Sequence, residues 1–145
     1  MTLRAATPDD AQRLYDWRLD PLTQAMSVTT GPQTLADHVG WLGRVLADPR
    51  VRLYIAEING HAVGTGRLNL GPNGRVAEVS LAVAPDVRGR GHAAPLLEAL
   101  ADQARAQGCK RLVAHVRGRN RASLRAFLSV GYDHVSPMVR LEKML

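Results

Sequence analysis

The sequence contains little cysteine, few aromatic side chains and no long apolar run. Its one cysteine, Cys109, excludes an intramolecular disulfide and argues against a cysteine-rich zinc site. No apolar run approaches the roughly 18 residues that a membrane-spanning helix needs, and the N-terminus lacks the apolar stretch of a secretory signal. We therefore expect a cytoplasmic protein without a membrane partner.

The composition is that of an ordinary globular protein with an excess of positive charge. The 145 residues are 46% hydrophobic, 22% charged and 4% aromatic, and their formal net charge is +6. The length predicts one domain spanning residues 1–145. The charge favours a polyanionic partner, such as a nucleic acid, a nucleotide cofactor or an anionic membrane surface. Because aromatic residues are few and no nucleic-acid-binding motif is present, we expect no nucleic-acid partner.

Hydrophobic periodicity and turn residues predict an α+β or α/β domain with one mixed sheet flanked by helices. The predicted order is β-α-α-β-β-β-α-β-α-β-β. Strands are predicted at residues 2–6, 51–58, 62–70, 75–84, 111–116, 132–136 and 138–143, and helices at 7–17, 34–47, 91–107 and 120–130. Residues 19–31 are predicted to form an irregular connection.

Three signals set the details of these elements. Asn59-Gly60 predicts a two-residue hairpin, and Gly108 predicts the end of the third helix. Apolar stripes predict which helix faces are buried. The stripes are Leu35, Val39, Leu42 and Leu46 in the second helix, Ala93, Leu96, Leu97, Leu100 and Ala104 in the third, and Leu124, Phe127 and Leu128 in the fourth.

A loop rich in glycine and arginine joins the strand at 75–84 to the helix at 91–107. This glycine loop is Arg88-Gly89-Arg90-Gly91-His92-Ala93. Glycine allows positive φ and a close backbone approach, and the first amides of a helix lie at the positive end of its dipole. The junction therefore suits a phosphate group, although a tight turn with solvated arginines would have the same sequence. The loop has neither the Gly-Lys-Ser/Thr of a P-loop nor the Gly-x-Gly-x-x-Gly of a dinucleotide fold.

Two motifs resemble signatures of the GCN5-related N-acetyltransferases, the GNAT family. Arg88-x-x-Gly91-x-Ala93, preceded by residues 81–85, is similar to the acyl-CoA signature Gln/Arg-x-x-Gly-x-Gly/Ala. Downstream, the second motif is similar to Asn-x-x-Ala/Ser-x-x-x-Tyr-x-x-x-Gly-Phe/Tyr. In this chain that motif is Asn120-x-x-Ser123-x-x-x-Phe127-x-x-x-Gly131-Tyr132. The motifs occur in the family's order and the predicted elements match the family fold, so the resemblance covers nearly all of the chain.

The resemblance implies acetyl-CoA as the cosubstrate. The strand residues Leu81, Ala82 and Val83 would pair with the pantetheine arm as an added strand. The implied pyrophosphate-binding residues are Arg88, Gly89, Arg90, Gly91, His92, Ala93 and Ala94. In the second motif, Asn120 would hold the pantetheine or the start of the helix, and Phe127, which takes the tyrosine position, would contact the cofactor. No metal is expected, because no His, Asp or Glu cluster has ligand spacing.

Two residues are candidates for the general base. In the ribosomal-protein alanine acetyltransferases of the family a glutamate stands five residues before the motif asparagine, and this chain has His115 there. Histidine titrates near neutral pH, which suits a base, although a strand histidine can also be purely structural. The second candidate, Glu78, lies on the strand leading to the glycine loop, where other members carry a catalytic glutamate. A solvated carboxylate is its ordinary interpretation.

The usual general acid is missing from the motif. Phe127 stands at the tyrosine position and cannot donate a proton, and Tyr132 is interpreted as a core or sheet residue. The acid is then another group, a water molecule or none.

The N-terminal half resembles, more weakly, acetyltransferases that modify nucleotide-linked amino sugars, as in pseudaminic acid synthesis. The residues that carry this resemblance include Trp17-Arg18 and His38-x-x-Trp41. Leu19 replaces an asparagine of that pattern. The resemblance implies acceptor contacts for Trp17, Arg18, His38 and Trp41. Core packing of the tryptophans and a half-exposed helix histidine are the plain alternatives.

The sequence as a whole predicts direct transfer of an acetyl group from acetyl-CoA to a primary amine in a ternary complex. The acceptor stays open among an amino-sugar nucleotide, another small molecule and a protein N-terminus or other peptide amine. Dimers are common in the family, so a homodimer is compatible with the resemblance. The alternative function is a non-catalytic CoA-binding sensor with the same fold, which the phenylalanine at position 127 favours.

Overall fold

The computed structural model of the protein describes residues 1–26, 34–136 and 140–145. The helices are α1 (Ala11–Leu19), α2 (Pro21–Met26), α3 (Leu35–Ala47), α4 (Ala93–Ala106) and α5 (Arg121–Ser129). The strands are β1 (Thr2–Ala5), β2 (Val51–Ile58), β3 (His61–Leu70), β4 (Val76–Val83), β5 (Arg111–His115), β6 (Asp133–Ser136) and β7 (Arg140–Met144). None of the helices among the described residues combines the length and the hydropathy that spanning a bilayer requires.

The strands form one seven-stranded sheet in the order β1-β2-β3-β4-β5-β7-β6. All neighbours are antiparallel except β4 and β5, which are parallel. The hairpin between β2 and β3 turns at Asn59 and Gly60, whose φ angles are 52° and 75°. Two successive positive φ values are those of a type I′ turn, which confirms the hairpin predicted from this dipeptide.

The two faces of the sheet carry different helices. Helix α4 packs against β3 and β4, where a Cβ on Gly66 would lie 2.7 Å from the Leu100 side chain. Glycine is therefore required there for the close approach of the helix. On the opposite face α1 and α3 cover β2, and their apolar side chains form a second cluster. That cluster includes Leu14, Leu42, Leu53 and Ile55.

The start of α1 is built around a buried carboxylate. Asp10 accepts two hydrogen bonds from Arg4, at 2.8 and 2.7 Å, and one from the Thr7 amide at 2.8 Å. The Arg4 guanidinium is the main reason why the pKa of Asp10 lies below its usual value. Residues Pro8–Asp10 form a 3-10 turn, so the regular helix begins at Ala11, later than predicted.

A short helix occupies part of the predicted irregular connection. The Asp20 carboxylate accepts a hydrogen bond from the Thr23 amide at 3.0 Å, and Pro21 occupies the first helical position. These are ordinary helix-starting residues, so the prediction of irregular structure was wrong over 21–26. The rest of that predicted segment, 27–31, lies outside the described residues. The predicted order of strands along the chain is confirmed, and the described residues add helix α2 to the predicted α-helices.

The buried face of α3 differs from the predicted stripe. His38, Leu42 and Val45 are buried, whereas Leu35 and Val39 are exposed. The helix docks on β2 through the side that holds Leu42. This orientation turns Leu35 and Val39 towards solvent. Thr34 accepts from the Asp37 amide at 3.1 Å and caps the helix.

The stripe of α4 is confirmed in its central part. Leu96, Leu97, Leu100 and Ala104 are buried, whereas Ala93 in the first turn is only half-buried. Gly108 ends this helix with a φ of 90°, as predicted.

The last helix and last strand are less well predicted. In α5 Phe127 is buried and Leu124 partly so, but Leu128 is 50% exposed, so its predicted inward position was wrong. The adjacent position 127 already fills the space against the core. The final strand was predicted from position 138, and residues 138 and 139 lie outside the described residues.

Candidate active site

The sheet opens between its two parallel strands. The register pairs Val76 with Arg111 and Glu78 with Val113, and the pairing of β4 with β5 ends there. In the described part of the chain, residues 79–83 continue with β3 on one side and no strand on the other. We call this gap the strand opening. It lies at the carboxyl ends of parallel strands, the usual ligand position in sheets of this kind.

The glycine loop borders the strand opening. Residues Pro85–Val87 form a 3-10 turn after β4, and α4 begins at Ala93. Gly89 and Gly91 have φ angles of 76° and 78°, and a Cβ on either would meet no atom within 4 Å. The backbone of the loop therefore has free space at both glycines, and the first amides of α4 lack partners within the helix.

The basic side chains of the glycine loop point in different directions. Arg88 is half-buried and pairs with the Asp20 carboxylate, and it donates to Thr23 Oγ1 at 2.8 Å. This pairing is the main reason why the pKa of Asp20 is lowered. Arg90 is exposed, whereas His92 is half-buried at the helix start. The charge of Arg88 is thus directed at α2, which differs from the phosphate role that the resemblance implies.

The two base candidates lie together at the strand opening. His115 Nδ1 is 3.5 Å from Glu78 Oε1, and both side chains are about half exposed (49% and 51%). Glu78 is opposite Val113 in the parallel register, so it shares a sheet face with His115 two residues further on. We call this face, which is opposite α4, the polar face. The sequence predicted the two residues separately, and the structure brings them into contact.

The second motif forms the start of α5 and part of the core. Asn120 caps the helix by accepting a hydrogen bond from the Ser123 amide at 3.2 Å. Phe127 is buried and lies edge-on to Tyr132, with ring centroids 4.8 Å apart. Because its ring is enclosed, the direct cofactor contact expected for Phe127 does not fit this position. Leu81, Ala82 and Val83, in contrast, lie half-buried along the strand opening.

Tyr132 is placed in the interior, as the sequence indicated. Its hydroxyl is buried and has no hydrogen-bond partner among the described residues. Burial raises its pKa, with the negative charge of Glu98 as a smaller cause. The hydroxyl is therefore poorly placed to act as a proton donor at the strand opening.

His38 lies inside the protein. It is 2% exposed, and its ring lies 5.7 Å from that of Tyr15 and 5.1 Å from that of Trp41. Burial lowers its pKa, and the charge of Arg18 adds to this effect. The predicted acceptor contact through His38 does not fit a neutral, enclosed ring. It is also not the half-exposed histidine of the plain interpretation.

The other predicted acceptor residues are partly accessible. Trp17 packs against both apolar clusters, one on each face of the sheet, which favours a core role. Arg18 and Trp41 are half-buried near His38. Trp41 contacts the polar face through Arg67.

Sequence reasoning missed Arg67. Its guanidinium carbon lies 5.8 Å from the centre of the Trp41 ring, and its Nε donates to Asn69 Oδ1 at 2.7 Å. The polar side chains of Thr65, Arg67 and Asn69 alternate with Gly66 and Leu68 along β3. Together with the Asn59-Gly60 hairpin, this alternation could have placed Arg67 on the polar face.

Sequence reasoning also missed the contacts that hold α2. Arg88 binds Asp20 and Thr23 at its start, and Arg119 donates to the Ala25 carbonyl at 2.6 Å near its end. The first arginine comes from the glycine loop and the second from the segment before α5. Helix α2 is therefore attached to both motif regions.

A mixed sheet that opens beside a glycine loop at the start of a helix defines an acyl-CoA N-acyltransferase fold. The chain matches the model of the Acetyltransferase (GNAT) family over residues 11–132. It therefore belongs to the GNAT family and is an acetyl-CoA-dependent N-acetyltransferase. This confirms the family, the fold class and the cosubstrate predicted from the two motifs. A comparison with curated proteins finds no match.

Solved structures share the fold at low sequence identity. The aminoglycoside acetyltransferase AAC(6')-Ib in complex with coenzyme A aligns with a TM-score of 0.84 and 22% identity, covering 99% of this chain and 94% of that one. The spermidine N-acetyltransferase from Vibrio cholerae in complex with CoA and spermine gives 0.87 and 15%, covering 99% and 94%. A GNAT-family acetyltransferase from Streptococcus pneumoniae gives 0.78 and 18%, covering 99% and 98%.

Proposed function

We propose that the protein transfers the acetyl group of acetyl-CoA to the primary amine of a small molecule or peptide by direct attack in a ternary complex. The observation that carries this proposal is the contact between Glu78 and His115 at the strand opening, beside the glycine loop. A proton acceptor and an anion-binding loop then border one gap in the sheet.

The residues present fit acetyl-CoA, which supplies the acetyl group as a thioester. The amides at the start of α4 would bind its pyrophosphate, and Gly91 leaves room for it. The edge of residues 79–83 that faces no strand among the described residues would hydrogen-bond the pantetheine amides as an added strand. Glu78 lies on the same strand, directly before these residues.

His115 acts as the base in this proposal. An amine must be neutral to attack, and a group near it that accepts a proton, directly or through water, supplies that form. With the Nδ1 side of the His115 ring turned towards Glu78, Nε2 would be left to accept the proton of the amine. Backbone N–H groups near Val83 would stabilise the negative charge that develops on the carbonyl oxygen.

The proposal assigns no protein side chain as the general acid. Phe127 cannot donate a proton and Tyr132 is enclosed in the core. A thiol has an ordinary pKa of about 8.5, so a CoA thiolate can leave at neutral pH and take a proton from water.

The acceptor is a primary amine whose identity the family does not fix. The structural neighbours are enzymes for aminoglycosides and for spermidine, which supports small amines as a class. The weaker resemblance of the N-terminal half to amino-sugar nucleotide acetyltransferases keeps that group of acceptors in the proposal.

The test measures CoA release from acetyl-CoA with a panel of small amines and N-terminal peptides, for the wild type, His115→Gln and Glu78→Gln. We expect turnover with at least one amine and a strong loss in both variants, with CoA binding by calorimetry unchanged. Binding of CoA without turnover of any amine would contradict the proposal and favour a CoA-binding sensor.

A further inference from the structure

We infer that the amine acceptor also carries an anionic group, a carboxylate or a phosphate, which the guanidinium of Arg67 binds on the polar face. This inference rests on the proposed function, because it concerns the acceptor of the same site. It assigns a binding role to a residue outside both family motifs.

The strand register places Arg67 close to the proposed base. Arg67 is directly opposite Ser80, and Asn69 is directly opposite Glu78, in the antiparallel pair of β3 and β4. Opposite residues share a face, so Arg67 and Glu78 are diagonal neighbours, which typically lie about 7–8 Å apart. A single small molecule can therefore present its amine to Glu78 and His115 and an anion to Arg67.

The guanidinium of Arg67 is held in place without a paired carboxylate. Asn69 accepts from its Nε, and the Trp41 ring lies near its carbon atom. Among the described residues no carboxylate lies within ion-pair distance, and the terminal nitrogens make no hydrogen bond. These two nitrogens are a planar fork that matches a carboxylate or a phosphate.

Two other arginines of the same face lack this property. Arg111 and Arg140 both pair with Glu142, at 3.8 and 2.8 Å. Arg67 is half-buried, and that burial lowers its pKa, with the carboxylates of Glu78 and Asp48 opposing the effect at longer range. A partly buried cation without a counter-ion is costly, and an anionic acceptor would supply the missing charge.

The same charge disfavours acceptors with several ammonium groups. A polyamine that placed one amine at Glu78 would bring a second positive charge towards Arg67, and like charges at short range repel. Acceptor preference in this chain should therefore differ from that suggested by the spermidine enzyme. Discrimination would come from repulsion as well as from attraction.

The test compares acceptors that differ only in the anionic group. One pair is 6-aminohexanoate and hexylamine, and the other is glucosamine 6-phosphate and glucosamine, with spermidine as the polycation. We expect kcat/KM to be at least about tenfold higher for the anionic member of one pair or both, the better pair identifying carboxylate or phosphate. The effect should lie mainly in KM.

Variants connect the preference to Arg67. Arg67→Gln should remove the preference, and Arg67→Lys should keep part of it. Arg111→Gln, an arginine on the same face that already has a carboxylate partner, should leave it unchanged.

The inference is overturned if the wild type prefers hexylamine, glucosamine or spermidine, or if the preference survives in Arg67→Gln. A thermal-shift measurement of the same compounds with CoA present tests binding without turnover. A binding preference without turnover would contradict the proposed function and leave the assignment of Arg67 standing, so that the two failures are distinguishable.

Discussion

His115 Nδ1 lies 3.5 Å from Glu78 Oε1 at the last paired position of β4 and β5. The contact follows from the register, because Glu78 is opposite Val113 and His115 is two residues beyond it on the same face. The two side chains form one unit at the point where the sheet opens. Kinetics can test whether they also act as one unit.

We expect His115→Gln to lower kcat by about 10²–10⁴-fold, the usual contribution of a general base. Glu78→Gln should lower it as well, because the imidazole loses its carboxylate partner. The double variant should have about the same kcat as the less active single variant, because the effects of residues that act as one unit do not add. The measurement is steady-state kcat with a saturating acceptor.

His61→Gln is the matched control. His61 also faces a carboxylate, that of Asp86 at 4.0 Å, but it is exposed at the start of β3. Its kcat should equal that of the wild type. If the fold-reductions in kcat of the two single variants multiply in the Glu78/His115 double variant, the two residues act independently.

Placement of the cofactor can be tested at Gly91. Gly91→Asp should abolish CoA binding, because it puts a negative charge where the pyrophosphate is expected. Gly74 has a φ of 71°, against 78° for Gly91, and a Cβ on either meets nothing within 4 Å. Gly74→Asp therefore imposes a similar backbone strain, of about 1–2 kcal/mol, in a turn between β3 and β4. It should bind CoA normally by calorimetry, whereas micromolar affinity in Gly91→Asp would refute the placement.

Local sequence signals predicted the parts of this fold that depend on neighbouring residues. The Asn59-Gly60 turn and the end of α4 at Gly108 each need a positive φ, and a glycine or asparagine at the position shows this directly. Helix α2 had a local signal too, in Asp20 and Pro21, but proline was interpreted only as a break. The start of that helix was therefore predictable from the same two residues.

The contacts that sequence reasoning missed depend on distant parts of the chain. Arg88 and Asp20 are separated by 68 positions, and nothing in the glycine loop indicates that one of its arginines faces a helix. Burial of His38 likewise depends on how helix α1 brings Tyr15 against its ring. Periodicity identifies a helix face only when the apolar stripe is unambiguous, which in α3 it is not.

The pairing of Arg88 with Asp20 predicts a positioning role for this arginine. Arg88→Gln and Asp20→Asn should both raise the KM for the acceptor, because each releases α2 from the glycine loop. The double variant should match either single variant, as expected for partners in one contact. The dissociation constant for CoA should change little in all three.

Arg90→Gln supplies the comparison for that prediction. Arg90 belongs to the same loop and is exposed, so its loss should weaken CoA binding without a specific effect on the acceptor KM. If Arg88→Gln weakens CoA binding and Asp20→Asn does not, Arg88 binds the cofactor directly and the positioning role is wrong.

His38 predicts how stability depends on pH. Its pKa is lowered in the folded protein by burial and by Arg18, whereas in the unfolded chain it titrates near 6.5. At a pH between the folded and the unfolded pKa of His38, the unfolded state binds more protons than the folded state. The free energy of unfolding therefore falls as the pH drops below about 6.5. The slope approaches at most about 1.4 kcal/mol per pH unit for one group.

The measurement is the melting temperature of variants between pH 7.5 and 5.5. His38→Leu should flatten the pH dependence, and it should be no less stable than the wild type at pH 7.5. Both ring nitrogens of His38 are buried without a partner among the described residues, so an apolar side chain of similar size leaves no hydrogen bond unmade. His61→Gln, an exposed histidine, should keep the wild-type slope. An unchanged slope in His38→Leu would show that the ring is not the group that resists protonation.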